Sequence, residues 1–233
     1  MIVDFHSHIL PYIDDGSENE EMSFEMLKQS IAMGGERFIA TPHYYYFKNQ
    51  SVEDAVLQRN WSYEKLLNYV QEQGVNVPRI YKGFEVHFDS ALKDLKNLDK
   101  LCIEGTNCLL VEMPYKKWNS DLIEELYRLS IKGFKLIMAH VDRYYSLDSD
   151  SVYKLFELDV CCQFNAEMLN NRKDRKFLSD YAASGRIGVM GSDMHNITNR
   201  PPNMKKAYGI AKKKLKSIAD DLFYNNAIRL LEG

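Results

Sequence analysis

The chain has 233 residues, 45% of them apolar, and its 30 basic and 33 acidic side chains leave a formal net charge of -3. That length supports one sizeable core, and the balanced charge excludes the basic field that drives non-specific nucleic-acid binding, so no nucleic-acid partner is expected. No leader-like start and no run of about twenty apolar residues occurs, and Cys102, Cys108, Cys161 and Cys162 form no CxxC, so a protein of the reducing cytoplasm, without membrane insertion, is expected.

Seven short runs rich in β-branched and apolar residues recur along the chain: Ile2–His6, Arg37–Thr41, Arg79–Val86, Asn107–Met113, Phe134–His140, Val160–Asn165 and Arg186–Gly191. Segments of helical periodicity separate them. Ser17-Glu-Asn-Glu20 matches a capping box and opens a helix that ends at Gly34-Gly35; Ser51-Val-Glu-Asp54 opens a long one that ends at Gly74. Asn119 or Ser120 can cap a third, through Leu122, Leu126 and Leu129 to Gly133. A fourth runs from about Asp174 to Gly185, and Lys205–Lys216 and Ile218–Leu231 close the chain as helices. The Lys212-Lys213-Lys214 run reads as a solvated helix face. Strands that alternate with helices imply βαβ units and a parallel sheet, open or closed into a barrel. Repeats and low-complexity linkers are missing, so residues 1–233 are expected to form a single domain.

The informative residues end the strands. His6 and His8, two apart on an extended strand, face the same way at chelate spacing. Later strands end in Thr41-Pro-His43, Gly83-Phe-Glu85, Val111-Glu112, Ala139-His140 and Gly191-Ser-Asp193-Met-His195. Six strand ends therefore carry a histidine or carboxylate, and in parallel α/β architectures that edge is where active sites form. Of the six histidines only His87 falls outside the pattern, and it is expected at the surface. Imidazoles mixed with carboxylates, without thiolates, suit Zn²⁺, Mn²⁺ or Fe²⁺, and the donors are too many for one tetrahedral ion. A cluster of two or three ions suits hydrolysis, with phosphate esters the natural substrate. Arg143 and Arg200, in loops leaving ligand-bearing strand ends, are placed to hold phosphate oxygens. Tyr44-Tyr-Tyr-Phe47 follows His43, and packing over the barrel mouth is the expected role in preference to a wall for a tyrosyl ring.

The run His6-Ser-His-Ile-Leu-Pro-x-x-Asp-Asp-Gly-Ser17 resembles the opening motif of the polymerase and histidinol phosphatase superfamily. Ala40-Thr-Pro-His43, Gly83-x-Glu85, Leu110-Val-Glu-Met-Pro114, Ala139-His-Val-Asp-Arg-Tyr144 and Ser192-Asp-Met-His-Asn196 with Arg200-Pro-Pro202 follow in the same order. Within it, the chain looks most like the manganese-dependent tyrosine-protein phosphatases that regulate bacterial capsular and extracellular polysaccharide synthesis. The resemblance implies a distorted (β/α)7 barrel of TIM-like form with three divalent ions, manganese first, with iron or zinc as substitutes. It assigns His6, His8, Glu85 and Asp193 to a first ion, and Glu85 as a bridge to a second held by Glu112 and His140. Asp15, His43 and His195 take a third, with Asp14 left as an alternative to Asp15, and Arg143 and Arg200 contact phosphate.

The implied activity is hydrolysis of a phosphotyrosine on a protein, a bacterial tyrosine kinase in polysaccharide synthesis. The chain departs from the family at Asp142, where Glu is usual, and at Glu167-Met168, where small residues are usual. A small-molecule enzyme such as a histidinol-phosphate phosphatase is the alternative; the short Pro114–Asn119 segment and the chain length stand closer to the tyrosine phosphatases. A non-catalytic metal-binding module would have lost ligands, and none is missing. Met22, Phe24, Met26 and Trp61 suit a subunit contact and the core equally, which leaves a homo-oligomer open.

Overall fold

The computed structural model describes residues 1–46 and 51–233; of the aromatic run above, Phe47 lies outside the described residues. Among the described residues nine strands form two parallel sheets. The first has the order β1 (Ile2–Ser7), β2 (Gly35–Ala40), β4 (Arg79–Lys82). The second runs β3 (His43–Tyr44), β5 (Glu85–His87), β6 (Cys108–Glu112), β7 (Lys135–Met138), β8 (Cys161–Asn165), β9 (Gly188–Gly191). Two pairs of these strands are single staves that break part-way. Thr41-Pro42 separates β2 from β3, and Gly83-Phe84 separates β4 from β5, which corrects the expectation of one strand over Arg79–Val86. Pro42 cannot donate to a ladder, but its carbonyl accepts from Glu85 N at 3.0 Å, and Ala40 O accepts from Gly83 N at 2.9 Å. Both breaks thus stay in register, and His43 sits opposite Glu85.

Seven staves result, and the first and last meet. Asp193 N donates to His6 O and His8 N to Met194 O, both at 2.9 Å, with a parallel bridge between Ser7 and Met194. Gly191 permits this closure: a Cβ there would lie 2.6 Å from that of His6. The architecture is the distorted (β/α)7 barrel that the resemblance implied. One apolar cluster draws on every stave, through Phe5, Ile39, Tyr81, Leu110, Ile137, Cys161 and Val189. It fills the barrel interior, and Leu230 and Leu231 of the final helix close it at the end opposite the site.

The helices pack outside. Helix α1 (Glu20–Ala32) is capped by Asn19, whose Oδ1 accepts from Met22 N at 2.8 Å, not by Ser17 as expected. Ser17 is buried, donating to Asn19 O and accepting from Ser23 Oγ, so it ties the entering loop to the helix. Ser51 caps α2 (Val52–Glu72), and Asn119, of the two candidates, caps α3 (Ser120–Ser130). Gly34, Gly74, Gly133 and Gly185 all have positive φ and end helices where the sequence places them. Two short helices, α4 (Val141–Leu147) and α5 (Ser149–Leu155), were not anticipated. The fourth expected helix is α6 (Arg172–Ala183) and the fifth α7 (Met204–Lys214), on which Lys212, Lys213 and Lys214 are exposed. The expected single helix over Ile218–Leu231 is three pieces, α8 (Ile218–Asp220), a π-helical turn at Asp221–Asn225 and α9 (Asn226–Glu232). Met26 is fully buried and Trp61 half exposed. Among the described residues no helix is long and apolar enough to cross a membrane.

Candidate metal centre

The C-terminal mouth of the barrel gathers every histidine and carboxylate picked out at the strand ends. Glu85 is the hub. Its Oε2 lies 3.2 Å from His6 Nε2, 3.3 Å from His8 Nε2 and 3.1 Å from His43 Nδ1, while Oε1 lies 2.8 Å from His140 Nε2. Asp193 Oδ1 stands 3.7 Å from His6 Nε2, 3.5 Å from His8 Nε2 and 3.7 Å from His195 Nδ1. Asp15 Oδ1 faces His43 Nε2 at 3.3 Å and His195 Nε2 at 3.6 Å. Glu112 Oε1 is 3.7 Å from His140 Nε2.

Three overlapping sets have donor atoms within 4.8 Å of one another: His8, Asp15, His43 and His195; His6, His8 and Asp193; His43, Glu85 and Glu112. The third contains His43 where the resemblance has His140, but His140 touches both carboxylates of that set.

The chemistry of these donors fits cations. Gln163 Oε1 accepts from the backbone N of His140 at 2.7 Å, which fixes it as the amide oxygen, and it lies 2.9 Å from His6 Nδ1. His6 therefore carries its proton on Nδ1. Asp14 Oδ2, 2.7 Å from His8 Nδ1, imposes the same tautomer on His8. The two Nε2 lone pairs then point at each other across 3.1 Å, an arrangement that is repulsive without something positive between them. His195 repeats the pattern: Nδ1 donates to the Asp193 carbonyl at 3.0 Å, and among the described residues buried Nε2 has no hydrogen-bond partner. Five carboxylates, Asp14, Asp15, Glu85, Glu112 and Asp193, face two guanidiniums here.

The titration tendencies agree. Burial disfavours the charged form of His6, but Glu85 and Asp193 outweigh it and hold the imidazole above its usual range; Asp14 and Glu85 do so more strongly for His8. Burial likewise opposes ionisation of Glu85 and Asp193, yet His6 with His140, and His6 with His8, keep them below the carboxylate range. The facing His195 and His43 rings lower Asp15, and burial lowers His195. The carboxylates thus place a negative field on the imidazoles of the mouth, a field that a bound cation would satisfy.

The backbone is strained at two of these residues: His140 has φ 33° and Asp193 has φ 53°. Such conformations persist where the surroundings over-determine them. Gln163 holds the His140 amide, and the barrel-closing bond to His6 O holds that of Asp193. Arg143 and Arg200 both reach Asp193 Oδ2, the latter at 2.6 Å.

Several contributors escaped the sequence reading. Strand β8 carries neither histidine nor carboxylate to the mouth but delivers Gln163 and, two residues on, Asn165, whose Nδ2 donates to Asp193 Oδ2 at 2.9 Å. Two amides at period 2 in a buried strand were the available signal. Asp142, where the family has Glu, is buried and accepts from Asn165 N at 2.9 Å; burial pushes its carboxyl up to about 6. His87 is not simply a surface histidine: it is part-buried with Nδ1 3.1 Å from Glu112 Oε2. Of the tyrosines after His43, Tyr44 is wholly buried against Phe84, as expected, but Tyr45 lies beside the His43 ring, centroids 5.1 Å apart.

A closed parallel barrel whose C-terminal mouth collects imidazoles and carboxylates defines a metal-dependent hydrolase of the polymerase and histidinol phosphatase type. The chain belongs to the capsular polysaccharide synthesis family CpsB/CapC, whose model matches residues 2–232. It is 25% identical over 244 residues to the tyrosine-protein phosphatase CpsB of Streptococcus agalactiae serotype III, covering 100% of this chain and 99% of that protein. It is 25% identical over 243 residues to the tyrosine-protein phosphatase YwqE of Bacillus subtilis, covering 100% and 92%. Among solved structures, those of YwqE from Bacillus subtilis and CpsB from Streptococcus pneumoniae, metal-dependent tyrosine phosphatases, superpose with a TM-score of 0.83 at 23% identity over 99% of this chain and 94% of the other. A phosphotriesterase homology protein from Escherichia coli shares the fold at a TM-score of 0.57 and 11% identity, over 99% and 98% of the two chains.

Proposed function

We propose that this protein is a metal-dependent protein-tyrosine phosphatase of polysaccharide synthesis, acting on phosphotyrosine of a bacterial tyrosine kinase, with three divalent ions, manganese first. The observation that carries the reading is the pair of tautomer-fixed imidazoles, His6 and His8, aiming lone pairs at one point beside Glu85 and Asp193. The first ion belongs to these four residues, the second to Glu85, Glu112 and His140, and the third to Asp15, His43 and His195. Asp15 is preferred to Asp14 because Asp14 is engaged with His8 Nδ1 and two backbone amides, whereas Asp15 faces His43 and His195. Ions bound there supply an activated water at neutral pH and neutralise the phosphoryl charge.

The remaining work falls to the chain's own groups. Arg143 and Arg200, which converge on one carboxylate oxygen, form the anion fork for the non-bridging phosphoryl oxygens. Gln163 and Asp14 hold His6 and His8 in the tautomer that presents Nε2. A thiol nucleophile is excluded on this chain's residues: all four cysteines are buried, and burial pushes Cys102 and Cys162 up to about 12.

The test is metal content per chain together with rates on a phosphotyrosine peptide and on histidinol phosphate, for the native chain and Asp193→Ala. Activity that disappears on chelation, returns with Mn²⁺, favours the peptide and collapses in Asp193→Ala supports the reading. Full activity after thorough chelation refutes it, and preference for histidinol phosphate moves the assignment to the small-molecule class.

A further inference from the structure

Two clefts flank the metal centre, and they differ in chemistry. One, of about 400 Å³, opens on the Asp15–His43 edge, with Ile13, Ala55, Phe84 and Tyr45 as its apolar wall and Asp14 and Gln58 beside them. The other, of about 430 Å³, opens on the Arg143 side, and its wall carries Asp142, Glu167 and Asp174 beside Tyr115 and Met168. The first is the more apolar, contains neither arginine, and has a volume larger than that of a phenyl ring. The second carries three carboxylates and Arg143, against two carboxylates in the first, and its apolar wall is Tyr115 and Met168.

We infer that the first cleft is the subsite for the tyrosyl ring of the substrate, with Tyr45 the residue that determines preference for an aryl ester. The inference rests on the phosphotyrosine reading above and specifies which side of the centre the ring occupies. If Arg143 and Arg200 hold the non-bridging oxygens, the ester oxygen projects away from them, toward the Asp15–His43 edge where this cleft begins. Tyr45 is half-buried, its ring 5.1 Å from that of His43 and 5.5 Å from that of His87, so it stands as a fixed wall at the rim. Phe84 forms the floor; the buried Arg59 guanidinium stacks 4.7 Å from its centroid and holds the ring in place. An incoming phenyl group meets a ring face at the wall and another at the floor, the offset or edge contacts that aromatic pairs favour. An aliphatic phosphate ester fills neither.

Family membership does not predict this outcome. The aromatic run after His43 read as packing, and Tyr44 does pack; Tyr45, one residue past the end of β3, instead lies beside the His43 and His87 rings.

The test uses the metal-loaded protein and two probes that cannot turn over: a peptide bearing 4-(phosphonodifluoromethyl)phenylalanine, and inorganic phosphate. Tyr45→Ala is expected to weaken the peptide by about tenfold, about 1.4 kcal/mol, while phosphate affinity stays within twofold. Tyr45→Phe should restore the peptide affinity, because the wall needs the ring and not the hydroxyl. Tyr115→Ala, in the other cleft, should change neither. Equal weakening of both probes in Tyr45→Ala would mean that Tyr45 merely supports His43, and selective loss in Tyr115→Ala would put the ring on the Arg143 side; either result overturns the inference. Both leave the phosphatase reading standing, since that fails only if the native chain, with its ions, does not hydrolyse phosphotyrosine.

Discussion

Removing the carboxylate from Asp14 and from its neighbour Asp15 should produce opposite losses. Asp14 is almost fully buried, and its two oxygens accept from His8 Nδ1 at 2.7 Å, Gly16 N at 2.9 Å and His43 N at 3.1 Å. Asp14→Ala strands three donors. A hydrogen bond to a charged group contributes about 1.5–3 kcal/mol and a neutral one about 1, so with partial rescue by water a loss of about 3 kcal/mol is expected. For a chain of this size that is roughly 6–12 °C in Tm. Asp15 also pairs with two imidazoles, but its side chain is 66% exposed, and water screens those contacts. Asp15→Ala in chelated protein should therefore melt within about 2 °C of the native chain, the shift of a surface change near 0.5 kcal/mol. On loading with Mn²⁺ the order inverts: Asp15→Ala should bind one ion fewer per chain, whereas Asp14→Ala should keep the stoichiometry and bind about 10–100-fold more weakly, as loss of a group that orients a ligand does. Calorimetry of the chelated proteins and metal analysis of the loaded ones decide the matter. If chelated Asp15→Ala melts with Asp14→Ala, or retains the full complement of metal, the assignment of these two residues is wrong.

Gln163→Leu leaves the His6 Nδ1 proton and the His140 amide without an acceptor in a fully buried position, at about 1–3 kcal/mol each, and releases Asn165. Denaturant unfolding should show a loss of at least about 2 kcal/mol, and titration with Mn²⁺ a drop of ten-fold or more; unchanged metal affinity would deny Gln163 its orienting role. Native protein treated with iodoacetamide at pH 8 should remain active and unlabelled by mass spectrometry, because a thiol whose pKa is raised to about 12 is almost wholly protonated four units below it. Rapid labelling of Cys162 with loss of activity would contradict this. Asn119→Ala should cost about 1 kcal/mol while Ser120→Ala is neutral, since Asn119 Oδ1 is the acceptor for Leu122 N; equal effects in thermal melts would show that the cap is shared.

What could be read from the chain followed from topology. A parallel stave delivers its last residues to one edge whatever packs behind it, so the histidines and acids at strand ends named the mouth before any contact was known. Cap identity was harder: Ser17 and Asn19 both offer a side-chain oxygen, and only the packing of Ser17 against Ser23 removes it from the choice. Helices α4 and α5 are seven residues each, too short for a 3.6 period to stand out. The break at Gly83-Phe84 leaves only a glycine as its mark, and a single glycine inside a strand fits a bulge or a close backbone approach equally well.

Buried amides are ambiguous in the same way, and that explains why the support of the site was the least legible part. Gln163 and Asn165 lie in a strand all of whose residues are buried, where an amide reads as an oddity of the core. Their role depends on partners 23 to 157 positions away in sequence. The same network bears on how substrate enters. Asp193 Oδ2 accepts from Arg143, Arg200 and Asn165 together, while its other oxygen faces His6, His8 and His195. On the proposed assignment, Arg143 and Arg200 would have to loosen from this oxygen to grip a phosphoryl group, and Asn165 would then remain as its donor and keep the carboxylate oriented. An amide is suited to that post because its hydrogen bond needs no counter-charge: it neither competes with the guanidiniums for the phosphate nor adds a charge to a mouth where carboxylates already outnumber them.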